Sequence, residues 1–215
     1  LISFPVQMTS WAAPRPLAGG APGLGEALAM SFGSAPIDAI TMATPLDVLR
    51  LNETRSVAEV FSANAQFGIA GGVGWEVVNL AFLAGGLWLL YRRVFTWHAP
   101  VAMLAALGLC SALFYAGGSA ASGGSPLFHL LSGATMFGAF FIITDPVSSA
   151  VSNRGRLVFG ALIGVLVYAI RVRGHYPDAV AFAVLIANFA APFIDNYTQP
   201  RVYGDAKLRA ESSGS

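Results

Sequence analysis

The 215 residues are 55% hydrophobic and only 11% charged, with a formal net charge of +1 and a mean hydropathy of +0.64. A soluble domain carries about 25% charged residues, so the composition excludes an ordinary soluble domain and reads as an all-α integral membrane protein. The near-zero charge, with no basic stripe, excludes nucleic acid as a partner, and the single cysteine, Cys110, excludes a disulfide framework or a cysteine-held metal cluster within the chain.

Residues 1–11 have no basic region ahead of an apolar stretch, so they are not a signal peptide. They read as the end of a preceding membrane helix, with Trp11 at the interface, and a further N-terminal portion is expected before Leu1. Residues 12–68 read as a periplasmic loop region. Its first part, 12–25, is rich in Pro and Gly and lacks helical periodicity. The stretch Pro36-Ile37-Asp38-Ala39-Ile40-Thr41-Met42-Ala43-Thr44-Pro45 follows. Pro45 biases Thr44 toward an extended backbone, and Ala43 adds little bulk beside its hydroxyl. A threonine hydroxyl in such a place can attack the pyrophosphate of FAD once its proton is removed. The same residues also suit a plain loop in which Asp38 caps one helix and Thr44-Pro45-Leu46-Asp47 opens another. Beyond Thr44, the spacing of Leu46, Val48, Leu49, Val57, Val60 and Phe61 predicts short amphipathic helices. Asp47, Arg50, Glu53, Arg55 and Glu59 fall on the other face, so these helices read as a small cap on the membrane domain.

Residues 69–196 read as a five-helix transmembrane domain, with apolar segments over 70–91, 98–116, 126–144, 156–173 and 177–194. A spanning helix needs about 20 largely apolar residues; the fourth and fifth reach this only with polar ends. Pro177 suits the first turn of the fifth, which Pro192 and Asp195 close. Gly85, Gly86, Gly133, Gly138, Gly160 and Gly164 lie inside the segments, where small residues let helices approach closely in lipid. Arg92, Arg93 and His98, then Arg154 and Arg156, then Arg201, Lys207 and Arg209 fall on one side. The positive-inside rule makes that side cytoplasmic. Residues 197–215 are then a cytoplasmic tail, and the uncharged loop 117–125 and Thr44 lie outside. Arg171 and Arg173 oppose this scheme unless they snorkel, pair with Asp178 or meet a flavin phosphate.

The Asp38, Thr41, Ala43, Thr44 pattern resembles the flavin-attachment motif of the RnfD and NqrB family, whose members belong to the Rnf and Na⁺-NQR complexes. That motif is Asp, two residues, Ser or Thr, one residue, Ala-Thr. The resemblance extends through Ser132-Gly133-Ala134-Thr135, Thr144-Asp145-Pro146-Val147, Asn153-Arg154-Gly155-Arg156, Tyr176-Pro177-Asp178 and Tyr197 through Gly204. It covers most of residues 1–204, and its tail favours the RnfD branch. The chain departs from the family in lacking its N-terminal helices and in the Gly/Ser-rich loop 117–125. The resemblance implies a polytopic helix bundle with an extracytoplasmic flavin-attachment region and FMN held on Thr44 by a phosphoester. It implies a membrane flavoprotein within a complex that couples ferredoxin–NAD⁺ electron transfer to Na⁺ or H⁺ movement. It leaves room for a second, noncovalent flavin such as riboflavin, which no residue here marks. NAD⁺ and iron–sulfur sites are expected on other Rnf subunits, since this chain has neither a Rossmann fingerprint nor a cysteine set. A quinone-linked NqrB homologue and a transporter or scaffold without a redox group remain as alternatives.

Other polar residues in or beside the apolar segments are candidates for a flavin or ion path. Glu76 follows Gly68, Gly71, Gly72 and Gly74, a stretch suited to close backbone approach to a flavin ring or to a tight turn with Glu76 at a helix start. Asp145 precedes Pro146 and either ends a helix or meets a cation. Asn79, Asn188 and Asp195 suit polar contacts between helices. Ser132-Gly133-Ala134-Thr135 also ends in Ala-Thr, but His129 stands where the motif has Asp, and the segment is expected inside a spanning helix. It reads as helix packing or part of a flavin pocket. No catalytic residue and no metal ligand set is expected.

Overall fold

The computed structural model describes residues 44–198, apart from 53, 65–66, 73, 120–121 and 175–177, together with Gly25 and Leu28. Residues 1–11, most of 12–43 with Asp38, Thr41 and Ala43, and the tail 199–215 lie outside the described residues.

Two short helices follow Thr44. In α1, Pro45–Arg50, Pro45 fills the first turn and the Thr44 side chain accepts from Asp47 N. In α2, Val57–Ala63, Ser56 and Glu59 form a reciprocal capping box. Their apolar sides close on Phe67 and Phe128 around Leu46, Leu49, Val57 and Val60. Each such aliphatic side chain removed from water contributes about 1.5–3 kcal/mol. Val57 N donates to Gly118 O at 2.9 Å, which ties the cap to the 117–125 loop.

The apolar segments become α3, Trp75–Tyr91; α4, His98–Leu113; α5, Pro126–Leu131; α6, Thr135–Phe137; α7, Asn153–Arg173; and α8, Val180–Thr198. Helix α6 runs on as a π-helical turn over Gly138–Ile142. Helices α7 and α8 are long and apolar enough to cross a membrane, whereas α3 and α4 are shorter apolar helices. The second segment stops at Leu113, short of 116, because the chain turns through Gly117 and Gly118 at φ of 63° and 77°.

Two expectations are corrected. The third segment is not one helix: Ser132–Ala134 breaks it, with Gly133 at φ 60°. Thr135 therefore opens a new helical piece instead of lying inside a continuous one. Pro192 does not close the last helix, which runs through it to Thr198. Proline inside a helix removes one backbone hydrogen bond. Here the turn beyond it is anchored: Asp195 Oδ1 accepts from Val151 N at 2.9 Å, and Ser152 Oγ donates to Thr198 Oγ1 at 2.9 Å.

The main helix pair is α4 with α7. A Cβ on Gly160 would overlap the Ala99 carbonyl, and one on Gly164 the Met103 carbonyl. Contacts that advance together along both chains make the helices parallel, with their N-termini at one end. Met103, Leu107, Phe159, Ile163 and Val167 fill the seam, almost wholly buried. Arg156 Nη1 donates to Thr96 Oγ1 at 2.9 Å at that end. The turn 92–98, the start of α7 and the end of α8 thus meet at one end, the basic end. The cap lies at the other, where Arg50 Nη1 donates to Gly174 O at 2.8 Å. Leu80, Leu87, Leu109, Leu185, Phe189 and Phe193 project outward from the bundle.

Candidate functional site

Thr44 sits where the cap begins. Its backbone is extended, at φ −68° and ψ 157°, as a residue before proline should be. It is half-buried. Its Oγ1 accepts from Asp47 N at 3.3 Å and donates to Asp47 Oδ2 at 3.1 Å. Asp47 in turn pairs with Arg50 at 3.2 Å. Pro45 presses on the glycine stretch: a Cβ on Gly72 would lie 2.5 Å from Pro45 Cγ and 2.9 Å from Trp75 Cδ1. Leu46 reaches further, onto the break in the third segment. A Cβ on Gly133 would meet Leu46 Cδ1 at 3.1 Å, Arg171 Nη2 at 3.0 Å and Asp178 Cγ at 3.2 Å.

The break frees backbone groups that need partners, since an unpaired one in an apolar interior is costly. Asn79 Nδ2 donates to Leu131 O at 3.2 Å and Gly133 O at 2.9 Å, and Asn79 Oδ1 accepts from Met136 N at 3.1 Å. Arg171 Nη1 donates to His129 O at 2.7 Å, and its Nη2 to Ser132 O at 3.2 Å. Asp178 accepts from Ala134 N at 3.0 Å and lies 3.6 Å from Arg171. The Thr135 hydroxyl lies 2.9 Å from both the His129 and Ser132 carbonyls, which share its one proton, and accepts from Arg171 Nη2 at 2.9 Å. Thr135 has no exposed surface. The two Ala-Thr positions therefore differ: Thr44 is half-buried with its hydroxyl held only by the neighbouring Asp47, and Thr135 is sealed with its hydroxyl engaged by distant groups. A cavity of about 180 Å³ between α1, the 117–125 loop, α5 and the end of α7 is lined by Leu49, Arg50, Ser122, His129 and Arg171, among others.

The remaining candidates divide between the two ends. Glu76, in the first turn of α3, folds back so that Oε1 accepts from Ala70 N at 2.7 Å and Gly71 N at 2.6 Å. It pins the glycine stretch beneath Pro45, at the cap end. Asp145 is exposed at the basic end, where Oδ2 accepts from Ser148 N and Ser148 Oγ. Asp195 is at the same end, bound to Val151 N. Glu76 is thus apart from Asp145 and Asp195, and no group of three or more His, Cys, Asp or Glu suited to a metal occurs among the described residues. Asp38, Thr41 and Ala43 lie outside the described residues.

The described residues are predominantly helical, with outward-facing Leu and Phe and two helices long and apolar enough to span a bilayer, as in a helical membrane protein. The chain belongs to the NQR2, RnfD, RnfE family, whose model matches residues 1–204. It is 58% identical over 214 residues to the RnfD component of the ion-translocating oxidoreductase complex of Cellvibrio japonicus, covering 97% of this chain and 60% of that protein. The corresponding component from Ectopseudomonas mendocina is 60% identical over 207 residues, covering 96% and 59%. That of Escherichia fergusonii is 51% identical over 223 residues, covering 96% and 62%. The chain thus spans about three-fifths of the length of the relatives it matches.

Sequence reasoning raised the pairing of Arg171 with Asp178 but missed what it supports, the broken third segment. The available signals were polar residues inside apolar runs, Asn79 and Arg171, and a glycine between Ser132 and Ala134.

Proposed function

We propose that this chain is the membrane flavoprotein part of an RnfD component of an ion-translocating ferredoxin:NAD⁺ oxidoreductase, carrying FMN as a phosphoester on Thr44. In this reading five helical segments cross the bacterial inner membrane from residue 70 onward, with the basic end cytoplasmic and Thr44 outside. The five runs of helix, the broken third included, and the gathering of Arg92, Arg93, Arg154 and Arg156 toward one end support it. FMN supplies one- and two-electron redox chemistry when bound; the protein holds and orients it. Thr44 provides the attaching oxygen, and Pro45 and Leu46 fix that residue over the glycine stretch and the helix break. Partners are the other Rnf subunits, the lipid bilayer, and Na⁺ or H⁺ as the translocated ion. A noncovalent riboflavin fits the family but is assigned no residue.

The observation that carries the attachment site is the contrast between a half-buried hydroxyl at Thr44 and a sealed one at Thr135. Thr44→Val keeps the side-chain shape and removes the hydroxyl. The protein is expressed in a host with a flavin transferase, and the denatured band is viewed under ultraviolet light. Fluorescence is expected to vanish in Thr44→Val and to persist in Thr135→Val. Peptide mass spectrometry is expected to place FMN on the fragment holding Thr44; FMN on any other residue, or none at all, defeats the assignment.

A further inference from the structure

Helix α3 ends in a Schellman turn at the basic end. Arg93 N donates to Leu90 O at 3.0 Å and Val94 N to Leu89 O at 3.1 Å. The position that such a turn reserves for glycine holds Arg93, at φ 58°, the one non-glycine with positive φ among the described residues. A bulky side chain there is strained, and a strained position kept by a charged residue points to a use for that side chain. Arg93 lines a cavity of about 550 Å³ between the 92–98 turn and residues 143–149. Leu90, Phe95 and Ile143 form apolar walls. Arg156 is a second guanidinium in the lining, held by Thr96 Oγ1 and Ala150 O. The start of α4 also lines it, through His98 and Ala99, and no side chain caps that helix, so its first amides add positive potential. Among the described residues no carboxylate lines the cavity; the nearby Asp145 is turned to Ser148. Trp88 and Trp97 stand exposed beside it, as aromatic residues do at a bilayer interface.

We propose that this cavity binds the headgroup of an anionic phospholipid, with Arg93 and Arg156 meeting its phosphate and the apolar wall taking the start of its acyl chains. Apolar walls with two guanidinium groups and, among the described residues, no carboxylate match an amphiphile of negative charge. The proposal rests on the proposed membrane placement, in which the basic end faces the inner leaflet.

The test uses the whole protein, purified in neutral detergent and reconstituted into nanodiscs of phosphatidylcholine with or without phosphatidylglycerol. Wild type is expected to melt higher with phosphatidylglycerol and to retain it through purification. Arg93→Gly relaxes the turn, so it is expected to melt higher than wild type in detergent. It is nevertheless expected to lose the response to phosphatidylglycerol and to retain about fivefold less of it, the worth of one surface cation. Arg93→Lys is expected to keep most of the response. Equal behaviour of wild type in the two lipids, or an undiminished response in Arg93→Gly, overturns the site. Failure to enter nanodiscs of either composition would instead overturn the membrane placement.

Discussion

Arg171 is buried, yet it is not an isolated charge in an apolar bundle. Its guanidinium serves two carbonyls and a hydroxyl at the helix break and lies beside Asp178. Replacing it by methionine keeps much of the volume and removes the donors. Each buried acceptor left unpaired costs about 1–3 kcal/mol, so Arg171→Met is expected to lower the melting temperature in detergent clearly. Arg171→Lys is expected to recover only part of the loss, because an ammonium does not reproduce the planar fork. An unchanged melting temperature in Arg171→Met would mean that Asn79 and Asp178 hold the break without it. The role also removes the conflict that Arg171 posed for the charge rule, since a side chain consumed by the protein interior does not count as a loop charge.

At the level of elements, the α4–α7 seam depends on bare backbone. Lipid tails are as apolar as the helix faces, so close van der Waals packing, and not burial from water, drives such helices together. Gly160 lies against the Ala99 carbonyl, a wall that cannot yield as a side chain does. Gly160→Ile is expected to destabilise the bundle by about 1–3 kcal/mol or more, the usual cost of overpacking. Gly108 lies in α4 with nothing within 4 Å of an added Cβ. Gly108→Ala is expected to be neutral or to stabilise by up to about 1 kcal/mol through helix propensity. Thermal unfolding of both variants in the same detergent checks the pair, and equal effects would remove the seam as the explanation.

For the whole molecule, topology and partnership are the open proposals. In a Cys110→Ala background, a cysteine at Ser119, exposed in the 117–125 loop, is expected to react with an impermeant thiol reagent in intact spheroplasts. One at Val147, exposed at the basic end, is expected to be protected until the membrane is opened. The reverse pattern inverts the orientation. Deleting the gene is expected to abolish ferredoxin-linked NAD⁺ reduction in membranes. Survival of that activity, with loss of quinone reduction instead, would move the protein to the quinone-linked branch of its family.

The helical segments were legible because a membrane demands long apolar runs, and a run is a local property of sequence. The short cap helices were legible too, through the spacing of Leu46, Leu49, Val57 and Val60 and through Thr44-Pro45, whose capping bond spans three residues; the capping box of Ser56 and Glu59 was missed. The break at Ser132–Ala134 was not, because a break is tolerable only if distant groups satisfy it. Its partners come from 54 residues away at Asn79, 39 at Arg171 and 44 at Asp178. By itself the sequence determined an apolar helical chain with an Ala-Thr motif ahead of a proline. Only the tertiary structure decided that Thr135 is sealed at a helix break by Arg171, while Thr44 is half-buried beside Asp47, because such partners come from packing between segments and not from the residues within one.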